Sequence, residues 1–234
     1  MIRAALLMAY IAVLLAVDRS TSREEQWLLG LLTVAVLVGA CWRLDSFRRS
    51  MVIGVVFFAT MGEIVGSIIW GVYRYRLGNL PPFVPPAHGL VFLAGFWISE
   101  AMSRHKRRLV LAAASAAATW GVLGLTVLPR LDVAGAIGVP ILLVFLWRSP
   151  SRAIYAGIFL VVTALELYGT AIGTWRWAVE IPGTGIPDGN PPSGVAAGYV
   201  WFDVMALLVA PHLIARARSF RRADPVRRAS IRSS

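Results

Sequence analysis

The sequence predicts an all-α membrane protein that crosses the bilayer about eight times and consists of two copies of a four-helix unit. Three observations favour this fold class. Hydrophobic residues make up 58% of the 234 residues and charged residues 15%, a balance that soluble domains of this size do not have. The apolar residues form eight runs bounded by charge or proline. A short motif also occurs twice, about one hundred residues apart.

The eight apolar runs predict the helices in order. A spanning helix needs roughly 20 residues, and the shorter runs lie at the lower limit. The first run follows Arg3 and resembles a signal peptide, but no small-x-small cleavage site follows it, so we expect it to be retained as a helix. The runs are 2–17, 26–42, 51–73, 87–103, 109–128, 131–147, 153–175 and 195–215.

The basic residues predict how these helices are oriented. Assigning the loops alternately to the two sides of the membrane places 17 basic residues on one side and six on the other. The positive-inside rule then predicts a multi-pass protein of the cytoplasmic membrane with both termini in the cytoplasm and both proline-rich loops outside. The same distribution accounts for the net charge of +11 without a nucleic-acid partner. Residues 216–234 contain seven arginines and are predicted to be a disordered cytoplasmic tail.

The repeated motif predicts an internal duplication. Glu63-x-x-Gly66 followed by Ser67 recurs as Glu166-x-x-Gly169 followed by Thr170, and each copy continues into an aromatic-Arg-aromatic triplet and a double-proline loop. The predicted units are residues 1–108 and 109–215. Because the copies are offset by four helices, they point the same way, and the repeat is parallel about an axis along the membrane normal.

The two repeated glutamates are the leading candidates for chemistry. An ionisable side chain inside an apolar segment is costly and is by default a functional-site candidate, so we interpret Glu63 and Glu166 as acid-base groups. Ser67 and Thr170 lie one turn further on and are expected to hydrogen-bond the carboxyls and to contact substrate. The structural alternative is a pair of protonated carboxyls that clamp neighbouring helices together. Gly62 and Gly66, like Gly169 and Gly173, have the spacing that allows close helix approach.

Two further side chains are candidate catalytic groups. Asp203 is a third intramembrane acid in the last helix and is expected to approach the pocket shared by the glutamates. A structural role, such as pairing with Arg176, is an equal alternative. His88 follows the Pro85-Pro86 pair at the outer end of the fourth helix and is predicted to be a second acid, an orienting group, a general base or a metal ligand. A solvated or helix-capping histidine is the alternative.

The aromatic residues that follow each glutamate are candidate substrate contacts. Aromatic residues beside arginine at a helix end are also typical of the interfacial belt of a membrane protein, and an arginine there could hold an anionic headgroup. The predicted substrate-binding residues in this group are Trp70, Tyr73, Trp175 and Arg176.

No cofactor or metal is predicted. The single cysteine, Cys41, has no partner for a disulfide or a thiolate metal site. The glycine-rich loop 181–190 does not connect a strand to a helix, and no Walker, HExxH or GxSxG motif occurs.

The pattern E-x-x-G, a small residue, aromatic-x-aromatic and a proline loop resembles bacterial carotenoid-modifying membrane proteins of the hydratase and heterodimeric lycopene cyclase type. The matching positions are Glu63, Gly66, Tyr73, Tyr75 and 81–86, with Glu166, Gly169, Trp175 and Trp177 in the second copy. The resemblance covers about a quarter of the chain. It implies protonation or hydration of polyene ends within the membrane, with the two glutamates as acids.

The sequence therefore favours an intramembrane enzyme that modifies an isoprenoid, carotenoid-like lipid or another lipid. The expected partners are membrane lipid and a small apolar substrate, with a membrane-protein partner or a second copy of the chain also considered. Two alternatives stay open: a proton-coupled transporter or flippase-like protein, and a non-catalytic membrane subunit.

Overall fold

The computed structural model describes residues 1–223, and these residues fold mainly into eight α-helices, as the all-α prediction requires. Aspartate side chains cap the N-termini of two of these helices. Asp45 accepts a hydrogen bond from the Arg48 amide at the start of α3, and Asp132 accepts one from the Gly135 amide at the start of α6. The helices are α1 Ile2–Asp18, α2 Glu25–Cys41, α3 Ser46–Glu63, α4 Val84–Ala101, α5 Lys106–Thr126, α6 Val133–Arg148, α7 Arg152–Ala171 and α8 Val195–Ala223.

Four stretches are long and apolar enough to cross a membrane, which is typical of a membrane protein. Many of their large apolar side chains are exposed on the outer surface, where contact with water would be unfavourable. Ile53, for example, is 61% exposed and Ile69 is 72% exposed. The four candidate spans are Ser46–Trp70, Ser103–Thr126, Arg152–Ala171 and Val195–His212.

The core is formed where helices of the two predicted units cross. Helix α3 packs against α8, and α4 packs against α7. The second crossing is very close, because a Cβ atom on Gly157 would lie 2.2 Å from the Gly95 carbonyl oxygen. At the first crossing, Gly54 of α3 faces Ala206 of α8. A Cβ atom on Gly54 would lie 2.9 Å from the Cβ atom of Ala206. Small residues thus permit both contacts.

The outer helices are arranged differently in the two halves. Helix α2 packs on α4 and α6 packs on α8, which is the same relation in each half. Helix α1, however, packs on α4 and α7, whereas α5 packs on α6 and α7. The first helix of each predicted unit therefore has a different neighbour.

Four short β-strands interrupt the helical structure, and the sequence did not predict them. Strand β1 (Tyr73–Tyr75) pairs antiparallel with β2 (Trp175–Trp177), and β3 (Glu180–Ile181) pairs with β4 (Ile186–Pro187). The β1–β2 pair, here called the ribbon, takes one strand from each predicted unit. Its central partners are the equivalent residues Arg74 and Arg176.

The segments that lead into the ribbon differ by one residue. Both end at a glycine with positive φ, Gly71 (φ 77°) and Gly173 (φ 79°), a conformation that favours glycine. Eight positions separate Glu63 from Gly71, and seven separate Glu166 from Gly173. The residues after Glu63, Ile64–Trp70, form a π-helix, whose wider turn accommodates the extra residue.

The first part of the predicted disordered tail is helical. Residues 216–223 belong to α8, which the structure describes as far as Ala223. The remainder of the predicted tail, 224–234, lies outside the described residues.

Candidate functional site

A cavity of about 200 Å³ lies beneath the ribbon and is lined by residues of both halves. In the ribbon, alternate side chains point to opposite faces. The aromatic residues of β1 and β2 line the cavity, while Arg74 and Arg176 are exposed on the other face. The ribbon thus covers the cavity with an apolar inner surface and a cationic outer surface.

Glu63, the last residue of α3, is fully engaged in hydrogen bonds. Its Oε2 atom accepts from the hydroxyls of Tyr73 (2.8 Å) and Tyr75 (2.7 Å). Its Oε1 atom lies 2.9 Å from Nε2 of His88 on α4. Both carboxyl oxygens therefore have protein partners, and the side chain is buried at 7% exposure.

Glu166 of α7 is held by the matching strand of the second half. Its Oε2 atom accepts from the indole N–H groups of Trp175 (2.9 Å) and Trp177 (3.1 Å). Within the described chain, its Oε1 atom has no hydrogen-bond partner, and the residue lines the cavity. Glu166 therefore has an oxygen left for a ligand, which Glu63 does not have.

The two tyrosines of β1 act as hydrogen-bond donors. Burial, followed by the neighbouring Glu63 carboxyl, raises the pKa of Tyr73 and of Tyr75 well above the usual value of about 10. The phenols therefore stay protonated at neutral pH and can donate to Glu63.

The glycine of each E-x-x-G motif makes room for this arrangement. A Cβ atom on Gly169 would lie 2.0 Å from the Trp175 ring, and one on Gly66 would lie 3.0 Å from the Tyr73 ring. Close helix packing was the predicted role of these glycines, but both face the ribbon aromatics instead. Gly62 does face a helix, since its Cβ would lie 2.6 Å from the Phe202 ring of α8.

His88 completes the Glu63 side of the cavity. The imidazole is buried between Glu63 and the aromatic rings of α8, with ring centroids 5.3 Å from Tyr199 and 6.1 Å from Phe202. Its Nδ1 atom is buried and has no partner within the described chain. The equivalent place in the second half belongs to Gly194, where a Cβ atom would lie 2.2 Å from the Gly135 carbonyl oxygen. No side chain fits there, so the second half cannot supply a second histidine.

Besides His88, seven aromatic side chains line the cavity: Tyr73, Tyr75, Phe83, Trp175, Trp177, Tyr199 and Phe202. Of these seven, only Tyr73 and Trp175 were predicted from the sequence to be substrate contacts. Tyr75 and Trp177 could have been selected, because alternation along a strand places them on the same face as the first two. Tyr199 and Phe202 lie three residues apart on one face of α8, but the sequence alone gave no reason to turn that face towards Glu63.

Several predicted site residues lie elsewhere. The hydroxyls of Ser67 and Thr170 donate to the backbone carbonyls of Glu63 and Glu166, each at 2.7 Å, and not to the carboxyls. Such a bond one turn back is common for helical hydroxyl residues. Trp70 donates its indole N–H to the Pro182 carbonyl at 3.2 Å and does not line the cavity.

Arg176 and Asp203 also lie apart from the glutamates. Arg176 is exposed on the outer face of the ribbon. Asp203 is buried and lines a separate cavity of about 100 Å³ between α3, α4, α7 and α8. The prediction that Asp203 approaches the pocket shared by the glutamates is therefore wrong. Adjacent helical residues point about 100° apart, so Phe202 faces the main cavity while Asp203 faces away from it.

A polar cluster fixes the second proline loop beside the ribbon. Asp132 accepts from the amides of Gly189 (2.9 Å) and Ser193 (2.7 Å), and Arg130 donates to the carbonyls of Trp177 (3.1 Å) and Ala178. Asp188 is buried beside them; this burial and the nearby Asp132 raise its pKa to about 7, although Arg130 opposes the shift.

Within residues 1–223, no group of three or more His, Cys, Asp or Glu side chains is placed to hold a metal ion. Comparison of the chain with protein-family models, with curated proteins and with solved structures finds no match.

Proposed function

We propose that the protein is an intramembrane acid-base enzyme that isomerises or cyclises an isoprenoid lipid through a carbocation. The observation that carries this proposal is a single cavity containing Glu166, with one oxygen free, and the Glu63–His88 pair. Proton transfer by positioned side chains is the chemistry that such a set can perform.

Glu166 is the proposed acid. Its Oε2 atom is occupied by two indole N–H donors, which leaves Oε1 to carry the proton towards the substrate. Transfer of that proton to one carbon of an alkene breaks the C=C π bond and leaves a carbocation on the other carbon. Glu166 is then a carboxylate.

His88 is the proposed base, with Glu63 as the residue that positions it. When Nε2–H donates to Glu63 Oε1, the lone pair of the neutral imidazole is on Nδ1, which has no partner within the described chain. Nδ1 removes a proton from a carbon next to the cation, and a new C=C bond forms. Return of that proton from His88 to Glu166 restores the enzyme, so the net reaction is an isomerisation. The sequence predicted acid-base roles for both glutamates, and a base was one of the roles considered for His88. The proposal keeps Glu166 as the acid and His88 as the base, and it gives Glu63 the positioning role instead of an acid-base one.

The aromatic lining supports an apolar substrate and a cationic intermediate. The faces of tyrosine, tryptophan and phenylalanine rings attract a cation by about 2 kcal/mol or more when water is excluded. An isoprenoid chain is apolar and reacts readily through such cations. The resemblance to carotenoid-modifying proteins points to the same substrate class.

The proposed enzyme would span the membrane eight times as a parallel repeat of units 1–108 and 109–215, with both termini in the cytoplasm. The ribbon supports the repeat, since equivalent residues pair about its centre, Arg74 with Arg176. Reporter fusions after Arg108 and within residues 183–190 test the topology. Signals from opposite sides of the membrane are expected, and signals from the same side would contradict it.

A proton-coupled transporter is the second candidate, because the cavity lies where the two halves meet, as substrate sites of repeat transporters do. Product analysis separates the two candidates: an enzyme changes the lipid, whereas a transporter moves it unchanged. Lipid profiling of a deletion strain would identify the lipid concerned.

The test of the acid-base proposal compares Glu166→Gln with Glu63→Gln. Glutamine retains hydrogen bonding but cannot transfer a proton, so Glu166→Gln should abolish product formation while the folded yield in detergent is kept. Glu63→Gln should reduce the rate by a smaller factor, because it weakens the positioning of His88 but leaves the acid and base in place. Full activity of both variants would reject the proposal in favour of a helix clamp.

A further inference from the structure

Two grooves at the arginine-rich end of the protein each combine a tryptophan with an arginine among apolar residues. The first, between α2 and α3, has a volume of about 400 Å³ and is lined by Trp42 and Arg49 among apolar residues. The second, between α5, α6 and the start of α7, has a volume of about 380 Å³ and is lined by Trp147 and Arg152. In each half the tryptophan lies at the end of an apolar helix, Trp42 directly after α2 and Trp147 in the last turn of α6. The arginine lies in the first turn of the next helix, Arg49 in α3 and Arg152 in α7.

The second groove combines an apolar floor with a cationic mouth. Val110, Leu111 and Ala114 lie on one face of α5 and form the floor together with residues of α6. Arg107 and Arg152 lie at the mouth and are both exposed. This arrangement suits an amphiphile with an anionic head and an apolar chain.

The two arginines of the second groove are available to a ligand. Within residues 1–223, neither the Arg107 nor the Arg152 guanidinium forms a salt bridge or a hydrogen bond. Trp147 is 75% exposed beside them, with the guanidinium of Arg148 5.8 Å from its ring centroid. Several positive charges thus surround one groove, and the described residues that line it include no carboxylate.

The first groove differs in this respect. Arg49 donates two hydrogen bonds to the Leu44 carbonyl, at 3.1 and 2.7 Å, and no second arginine is found among the described residues that line the groove. Its single guanidinium is therefore engaged by the protein itself. The first groove provides an internal comparison of similar size and apolar character.

We propose that the groove between α5 and α6 binds an anionic phospholipid, whose phosphate contacts Arg107 and Arg152 and whose acyl chain lies on the α5 face. Guanidinium groups match the geometry of phosphate oxygens, and an exposed tryptophan suits the level of the headgroups. The site is separate from the ribbon cavity and does not depend on the chemistry proposed there.

The full-length protein, reconstituted in phosphatidylcholine vesicles, provides the test. A small share of the lipid is replaced by phosphatidylglycerol with brominated chains, and quenching of tryptophan fluorescence is measured as that share rises. Trp147→Phe identifies the part of the signal that comes from the groove. The Arg107→Gln/Arg152→Gln variant removes both charges, and Arg43→Gln is the matched control, since Arg43 is exposed at the same end but lines neither groove.

Saturable quenching of Trp147 by the anionic lipid is expected, with binding about fivefold weaker for each arginine removed and unchanged in Arg43→Gln. Equal quenching by brominated phosphatidylcholine, or an equal loss in Arg43→Gln, would overturn the proposal. Displacement of the lipid by inorganic phosphate alone would also overturn it, because the site would then recognise a free anion. Thermal unfolding of each variant verifies that the fold is intact.

Discussion

Glu63 and Glu166 occupy equivalent places in the two halves, and two aromatic donors from the following strand hold each of them. The donors are hydroxyls in the first half and indole N–H groups in the second. Only Glu63 has a histidine as well, and only Glu166 keeps an oxygen without a partner in the described chain. The same arrangement of helix and strand thus gives the two carboxyls different chemical environments. Substitutions on each side test whether this difference determines function.

After the loss of the Glu166 acid, the largest effect is expected from removing the histidine. His88→Phe keeps an aromatic ring beside Tyr199 and Phe202 but has no nitrogen to accept a proton. If His88 is the base, product formation should fall about 10²- to 10⁴-fold. The rate is measured in membranes that contain equal amounts of folded protein. Unchanged activity would show that the difference between the halves has no catalytic meaning.

The glycines of the two E-x-x-G motifs should respond unequally to alanine. Gly169→Ala places a methyl group 2.0 Å from the Trp175 ring and should destabilise the protein by about 1–3 kcal/mol. Gly66→Ala creates only a 3.0 Å contact with Tyr73, and the gain in helix propensity of about 1 kcal/mol offsets it.

Thermal unfolding in detergent compares these two variants. Gly198→Ala on α8 is the control, because a Cβ atom there would meet no atom within 4 Å. Equal destabilisation by Gly66→Ala and Gly169→Ala would mean that both strands pack equally tightly, contrary to the structure.

The smallest effect concerns pH and the second proline loop. The pKa of Asp188 is about 7 in the folded protein, whereas an unfolded aspartate has a pKa of about 3.9. Between these values the folded state binds more protons, so the stability of the loop should fall as pH rises from about 4 to about 7.

Asp188→Asn should flatten this pH dependence, since the amide does not titrate. Limited proteolysis of the loop at a series of pH values measures the effect, with an exposed acid, Glu180→Gln, as the control. If the pH dependence is unchanged in Asp188→Asn, another titrating group must cause it.

The sequence predicted the helical class, because long apolar runs are strong local signals. It also identified Glu63, Glu166, His88, Tyr73 and Trp175, all of which line one cavity. Whether they act on a substrate stays a prediction.

The ribbon was not predictable in the same way. A strand of three residues has almost no local signal, and its partner lies about one hundred residues further along the chain. The position of Asp203 was predicted wrongly for a related reason. In a helix that is apolar all round, the hydrophobic pattern indicates how deep a residue lies in the membrane. It does not indicate which neighbouring helix the side chain faces.

The ribbon also has a consequence for the internal duplication proposed above. Each half contributes one strand, so under that proposal a half-length ancestor would have needed a second copy of itself to cover the cavity. In a symmetric dimer, any substitution appears on both sides at once. Joining the copies in one polypeptide removes that restriction, so one side can acquire an imidazole while the other keeps a glycine at the corresponding place.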